Sequence, residues 1–209
     1  MASGRVSADV TQPADTNTGA VRRASLDGSN IQDLISGDLA LATGGVVVDD
    51  SHLYWTSYAG SPTAGTIRRA NLDGSNPQAI VTGQAAPFGI AVDDSYLYWT
   101  TGGDGPSSGA VNQAGLDGSN SQPIVTGLAY TPGTVAVGAS YLYWVNRGDD
   151  TVHLANLDGS NPQTLGSGQG AWGTGGKPRR TCRLTTVHTV ARHPAGTLAD
   201  RPDRPLPRR

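Results

Sequence analysis

Few side chains in this 209-residue sequence could move protons, attack carbon or hold a metal: four histidines, one cysteine and seventeen acidic residues, all of them Asp. A nucleophile with its base needs a histidine near a serine or cysteine. His188 and His193 fall in a basic C-terminal stretch, and His52 and His153 are far apart in sequence and read as solvated surface. Asp49-Asp50, Asp93-Asp94 and Asp149-Asp150 offer hard carboxylate oxygens of the kind calcium takes, but the first two pairs recur at one place in a repeat, where turn chemistry explains them more simply. Arg147-Gly148-Asp149 matches a tripeptide read by some adhesion receptors, and a three-residue match in a Gly- and Asp-rich chain reads as chance. No catalytic residue, metal ligand or cofactor site is expected, and Cys182, the single cysteine, can form no intramolecular disulfide.

What positions these residues is a repeat. Leu-Asp-Gly-Ser-Asn recurs with its Asp at 27, 73, 117 and 158, and Leu-Tyr-Trp recurs at 53–55, 97–99 and 142–144. Both markers keep a period of about 44 residues, the length of one four-stranded propeller blade. Each full copy reads as an apolar strand (Gly89-Ile90-Ala91-Val92), an Asp-rich turn, a second strand (Tyr96-Leu97-Tyr98-Trp99-Thr100), a loop, a third strand, an Asp-Gly hairpin and a fourth strand (Gln78-Ala79-Ile80-Val81 in the copy before). The expected fold is all-β, a partial β-propeller of about three and a half four-stranded antiparallel blades over residues 18–173. Trp55, Trp99 and Trp144 are expected to pack between blades, and the pairs Arg22-Arg23 and Arg68-Arg69 to be ion-paired or exposed at the rim. The first copy begins at its third strand, Gly19 to Ala24, so the first half of that blade is expected to be missing.

Leu-Tyr-Trp-Thr followed by Ile-Arg-Arg-Ala-Asn-Leu-Asp-Gly-Ser-Asn resembles the YWTD propeller repeats of low-density-lipoprotein-receptor class B and their bacterial relatives. The resemblance implies a binding propeller, exported or extracellular. The family's Asp after Tyr-Trp-Thr is replaced by Ser57, Thr101 and Asn146, which leaves open what bonds one blade to the next and suits a divergent bacterial branch. Streptogramin lyases are also propellers and use His and Glu around a metal; with no Glu and no paired His, that chemistry has no support.

Composition agrees with the fold: Gly is 29 of 209 residues and only 15% are charged, which suits short strands and tight turns. Charge is uneven. Residues 1–165 hold 6 Arg against 15 Asp, whereas 166–209 hold 9 Lys and Arg against 2 Asp. Residues 174–209, Arg- and Pro-rich and without the repeat, are expected to be disordered or out of frame, and 1–17 to be flexible. Nucleic acid is set aside as a partner of that tail. No stretch is long and apolar enough to cross a membrane as a helix, and Met1 to Val10 lacks the apolar run of a secretory signal.

The loops joining second to third strands, 56–66, 100–110 and 145–151, differ between copies and leave the sheet at one end, which makes them the expected recognition surface. Tyr58, Asp104, Arg147, Asp149 and Asp150 are the candidate ligand-binding residues there. The function expected is a non-enzymatic binding, sensor or scaffold module for a protein or carbohydrate ligand. The alternatives are part of a propeller lyase or lactonase, or a truncated product without function. Self-association through open propeller ends is expected in any of these cases.

Overall fold

The structure, a computed structural model, describes residues 5–9 (backbone), 19–37, 44–58, 64–102, 105, 107–129, 132–147 and 149–167. These form four antiparallel sheets. The first comprises β1 (Arg5–Asp9), β2 (Ala20–Ala24) and β3 (Gln32–Ser36), and the second β4 (Val46–Val48), β5 (His52–Ser57), β6 (Gly65–Asn71) and β7 (Gln78–Gln84). The third comprises β8 (Ile90–Val92), β9 (Tyr96–Thr101), β10 (Gly109–Gly115) and β11 (Gln122–Leu128). The fourth comprises β12 (Pro132–Val137), β13 (Tyr141–Asn146), β14 (Thr151–Asn156) and β15 (Gln163–Gly166). The multi-bladed all-β fold is as the repeat predicts. The tail 174–209 lies outside the described residues.

The first sheet departs from expectation. Arg5–Asp9, within the segment taken as flexible, pairs along β2 in the place of a second strand. Arg5 stands opposite Ala24 and Asp9 opposite Ala20, just as Leu53 stands opposite Ala70 and Ser57 opposite Thr66 in the next sheet. The strand keeps the register of Leu-Tyr-Trp-Thr-Ser without its aromatics, which is why the marker motif does not reveal it.

Each Leu-Asp-Gly-Ser-Asn segment is a hairpin built the same way. Gly28, Gly74, Gly118 and Gly159 adopt φ between 81° and 85°. In the second sheet Gly74 N donates to Asn71 O and Asn71 N to Ser75 O, the pattern of a three-residue loop whose third position is left-handed and so favours Gly. Asp73 Oδ1 accepts from Ser75 N at 2.9 Å and from Ser75 Oγ at 2.6 Å, and Asp27 repeats both bonds. Asp117 and Asp158 take the same backbone bond from Ser119 and Ser160. These bonds hold all four carboxyls below the usual carboxylate pKa.

Because successive strand residues face opposite ways, every sheet has a rear face toward the sheet before it and a forward face toward the one after. The hydrophobic core therefore lies between sheets. Val21 and Ile35 pack forward onto Leu53, Trp55 and Ala70. Tyr54, Ile67 and Val81 pack onto Ile90, Val92, Leu97 and Trp99, and Tyr98, Val111 and Val125 onto Val135, Leu142 and Trp144. Trp55, Trp99 and Trp144 are buried, as expected of packing residues.

The blades are also joined by hydrogen bonds. Thr56 Oγ1 donates to Phe88 O at 2.9 Å, and Thr100 Oγ1 donates to Gly133 O at 2.8 Å. The bond that the missing Asp put in question is thus made by the residue before it. The hairpin glycines do a second task. A Cβ on Gly74, Gly118 or Gly159 would come within 2.2–2.4 Å of the carbonyl oxygen of Leu34, Ile80 or Ile124, on the outer strand of the preceding sheet.

Candidate functional site

The two ends of the sheets differ in what they leave available. At the end bearing first-to-second-strand turns, the aspartates are committed. Asp93 Oδ1 accepts from Ser95 N and Tyr96 N, both at 2.8 Å, and Oδ2 accepts from Tyr98 Oη at 3.0 Å. Asp49 makes the same three bonds to Ser51, His52 and Tyr54. Burial and the neighbouring carboxylate push the Tyr98 phenol up to about 12, so it stays protonated and donates. Turn chemistry, as expected, accounts for the first aspartate of each pair.

The opposite end carries the second-to-third-strand loops. Arg147, just after β13, places its guanidinium carbon 3.9 Å from the centroid of the Phe88 ring, which belongs to the preceding sheet. The side chain remains exposed, and the partial desolvation it does feel lowers its pKa. Asp149 accepts from the Thr151 hydroxyl, and Thr151 Oγ1 lies 2.6 Å from His153 Nε2. The second ring nitrogen, Nδ1, is 3.3 Å from Thr164 Oγ1. Strand alternation and the pairing Trp144↔His153 set that imidazole on the rear face, where it stacks on Trp144 with centroids 5.3 Å apart. His153 is half-buried rather than solvated, which corrects the sequence reading, and desolvation pulls its pKa below 6.5 against the opposing pull of Asp149.

Two acceptors near this end have no partner among the described residues: Asn146 Oδ1, at the last position of β13, and Asp150 Oδ1. Asp150 also holds a left-handed φ of 54°, which a non-glycine residue adopts at some cost. Buried acceptors left unpaired call for an explanation such as water or a ligand.

Of the sequence candidates, Arg147, Asp149 and Asp150 therefore share one loop, joined by His153, Thr151 and Asn146, which sequence reasoning passed over. Their signal was available as the departure of His153 from the Arg68 and Asn112 of the same repeat position. Tyr58 follows β5 in the loop two sheets away, half-buried, and Asp104 lies outside the described residues. Among the described residues no group of three or more His, Cys, Asp or Glu side chains is arranged to hold a metal ion. No described helix is long and apolar enough to cross a membrane.

The architecture and its repeated inter-sheet contacts define a multi-bladed, propeller-like all-β protein. No protein-family model matches the chain, and no curated protein matches it in sequence. Solved structures do match in fold. An oligogalacturonate lyase in complex with manganese aligns at 13% identity with a TM-score of 0.54, covering 75% of this chain and 44% of that one. A luciferin-regenerating enzyme aligns at 12% identity and TM-score 0.52, covering 76% and 60%. A structure of a nidogen/laminin complex aligns at 20% identity and TM-score 0.49, covering 70% and 71%. The chain thus spans less than two thirds of the length of the two enzymes.

Proposed function

We propose that this chain is part of a propeller of the enzymatic kind and that the loop end of its fourth sheet takes a carboxylated sugar. The observation that carries the reading is the Asp149–Thr151–His153 chain at the loop end that also bears Arg147 and the unpaired acceptors Asn146 Oδ1 and Asp150 Oδ1. Two fold neighbours with TM-scores above 0.5 are an oligogalacturonate lyase and a luciferin-regenerating enzyme, and oligogalacturonate is a chain of carboxylated sugars. A guanidinium suits a carboxylate, and unpaired acceptors suit sugar hydroxyls.

The proton order favours base chemistry. With Asp149 accepting from Thr151, the Thr151 oxygen accepts the Nε2–H of His153, which leaves the Nδ1 lone pair facing the Thr164 hydroxyl, 3.3 Å away, which a substrate must displace. Desolvation keeps the imidazole neutral. Such a base takes the proton α to a carboxylate; the electron pair forms a carbon–carbon double bond and expels the β-oxygen, which takes a proton from water. Arg147 offsets the negative charge that grows on the carboxylate. The described residues offer no donor set for the manganese named with the lyase, so no step runs through a metal.

A second reading, a binding module without turnover, has support in the Thr164 hydroxyl already lying against His153 Nδ1. The Tyr-Trp-Thr and Leu-Asp-Gly-Ser-Asn motifs support membership of the YWTD branch and, with it, an exported protein that meets its ligand outside the cell. Calorimetric titration with oligogalacturonate, followed by ultraviolet absorbance of an unsaturated product, separates the readings. Binding abolished by Arg147→Ala and product abolished by His153→Gln support the enzyme. Binding without product supports the module, and no binding overturns both.

A further inference from the structure

The two outermost faces of the sheet stack are complementary in the terms the chain itself uses three times. Within the stack, the glycine of each Leu-Asp-Gly-Ser-Asn turn presses against the outer strand of the sheet before it: Gly74 on Leu34, Gly118 on Ile80 and Gly159 on Ile124. Gly28, in the first sheet, has the same turn and the same left-handed φ of 83°, yet nothing lies within 4 Å of its Cβ position. Its neighbour Leu26 is 73% exposed, whereas Leu72 at the same turn position is 38% exposed and Leu116 and Leu157 are half-buried. The rear face of the first sheet therefore carries the same turn device, with no described residue seated on it.

The forward face of the fourth sheet is the matching half. Leu165 stands where Leu34, Ile80 and Ile124 stand in earlier sheets; those are half-buried under the next turn, and Leu165 is 54% exposed. Around it the face is more apolar than its predecessors. Val145 replaces the bridging Thr56 and Thr100, Leu154 replaces Arg69 and Gln113, and Gly138 replaces the aspartate that holds the tyrosine hydroxyl. Tyr143 is half-buried where Tyr54 and Tyr98 are fully buried. Tyr143, Val145, Val152, Leu154 and Leu165 make an apolar surface of the kind that marks an interface.

We propose that a second copy of this chain covers it, the rear face of one copy's first sheet seating Gly28 and Leu26 against Leu165 on the forward face of the other copy's fourth sheet. The contact is head to tail, and it continues the stacking of the three internal boundaries. The described sheets of two copies number eight, within the 4 to 8 blades at which propellers typically close, so a reciprocal pair can bury both faces.

Light scattering on the full chain at rising concentration tests this, with Leu26→Asp and Leu165→Asp as probes. Both side chains are exposed in the single chain, so circular dichroism should report the same fold for each variant. A wild-type dimer is expected, with each substitution weakening association about tenfold or more. Mixing the two variants must partly restore association, because one contact in the mixed pair is then native on both sides. A wild-type monomer overturns the proposal. So does association that survives both substitutions, or mixed variants that remain apart, which would mean a contact other than head to tail.

Discussion

The Thr100 hydroxyl donates to the carbonyl of Gly133, 33 residues further on, and accepts from the Gly89 amide of its own sheet. One side chain thereby ties the inner edge of one blade to the next, and all three groups are buried. Replacing Thr100 by Val keeps the shape and strands both the Gly89 donor and the Gly133 acceptor. Chemical denaturation should show a loss of about 1–3 kcal/mol, with Thr100→Ser largely retaining stability because the hydroxyl survives.

The hairpin glycines give a matched pair of substitutions. Gly28→Ala and Gly118→Ala both force alanine into a left-handed φ, which costs about 1–2 kcal/mol. Within a single chain, compared at concentrations too low for association, only at Gly118 would the new methyl also meet the Ile80 carbonyl, 2.2 Å away. The Gly118→Ala chain should therefore be less stable than Gly28→Ala by about 1–3 kcal/mol, read from the same denaturation curves.

These contacts show which parts of the molecule the sequence discloses. Strand content, hairpin placement and burial of the tryptophans follow from motifs that repeat, since each repeat is a local instruction for one sheet. Arg5–Asp9 escapes because no Leu-Tyr-Trp marks it as a strand that pairs with β2. The bridging role of Thr56 and Thr100 is equally hidden, because its acceptor lies one repeat away. At the candidate site, Arg147, Asp149 and Asp150 were found as loop residues. His153 was missed because its partners, Thr151 and Trp144, become neighbours only once β13 and β14 pair.

Acid should weaken the hairpins. Asp27, Asp73, Asp117 and Asp158 have folded pKa values below the ordinary 3.8, chiefly through side-chain hydrogen bonds from the serine two residues on. A depressed folded value means that the unfolded chain binds protons more readily, so the stabilisation is present above pH 3.8 and lost as pH falls through the folded values. Thermal melts from pH 6 downward should show a declining Tm, and Asp117→Asn should make that decline shallower.

His153 gives a second probe of the same sign, with a different cause. Desolvation holds its pKa below 6.5 and the Asp149 charge pulls it up, so the unfolded imidazole protonates first and stability falls as pH drops below 6.5. An NMR titration of the imidazole protons should give a midpoint under 6.5. Asp149→Asn should move it lower still; an unchanged or raised midpoint would remove Asp149 from the site.

The account rests on sheets stacked face to face in the order of the repeats, with Thr56 and Thr100 spanning the boundaries. Cross-relaxation in an isotopically labelled sample measures this directly. Cross-peaks are expected between the Thr100 side chain and the Gly133 backbone and between Thr56 and Phe88, with slow exchange of the Gly89 amide. Absence of both cross-peaks together with rapid Gly89 exchange would mean that the sheets do not stack in this order and would contradict the account.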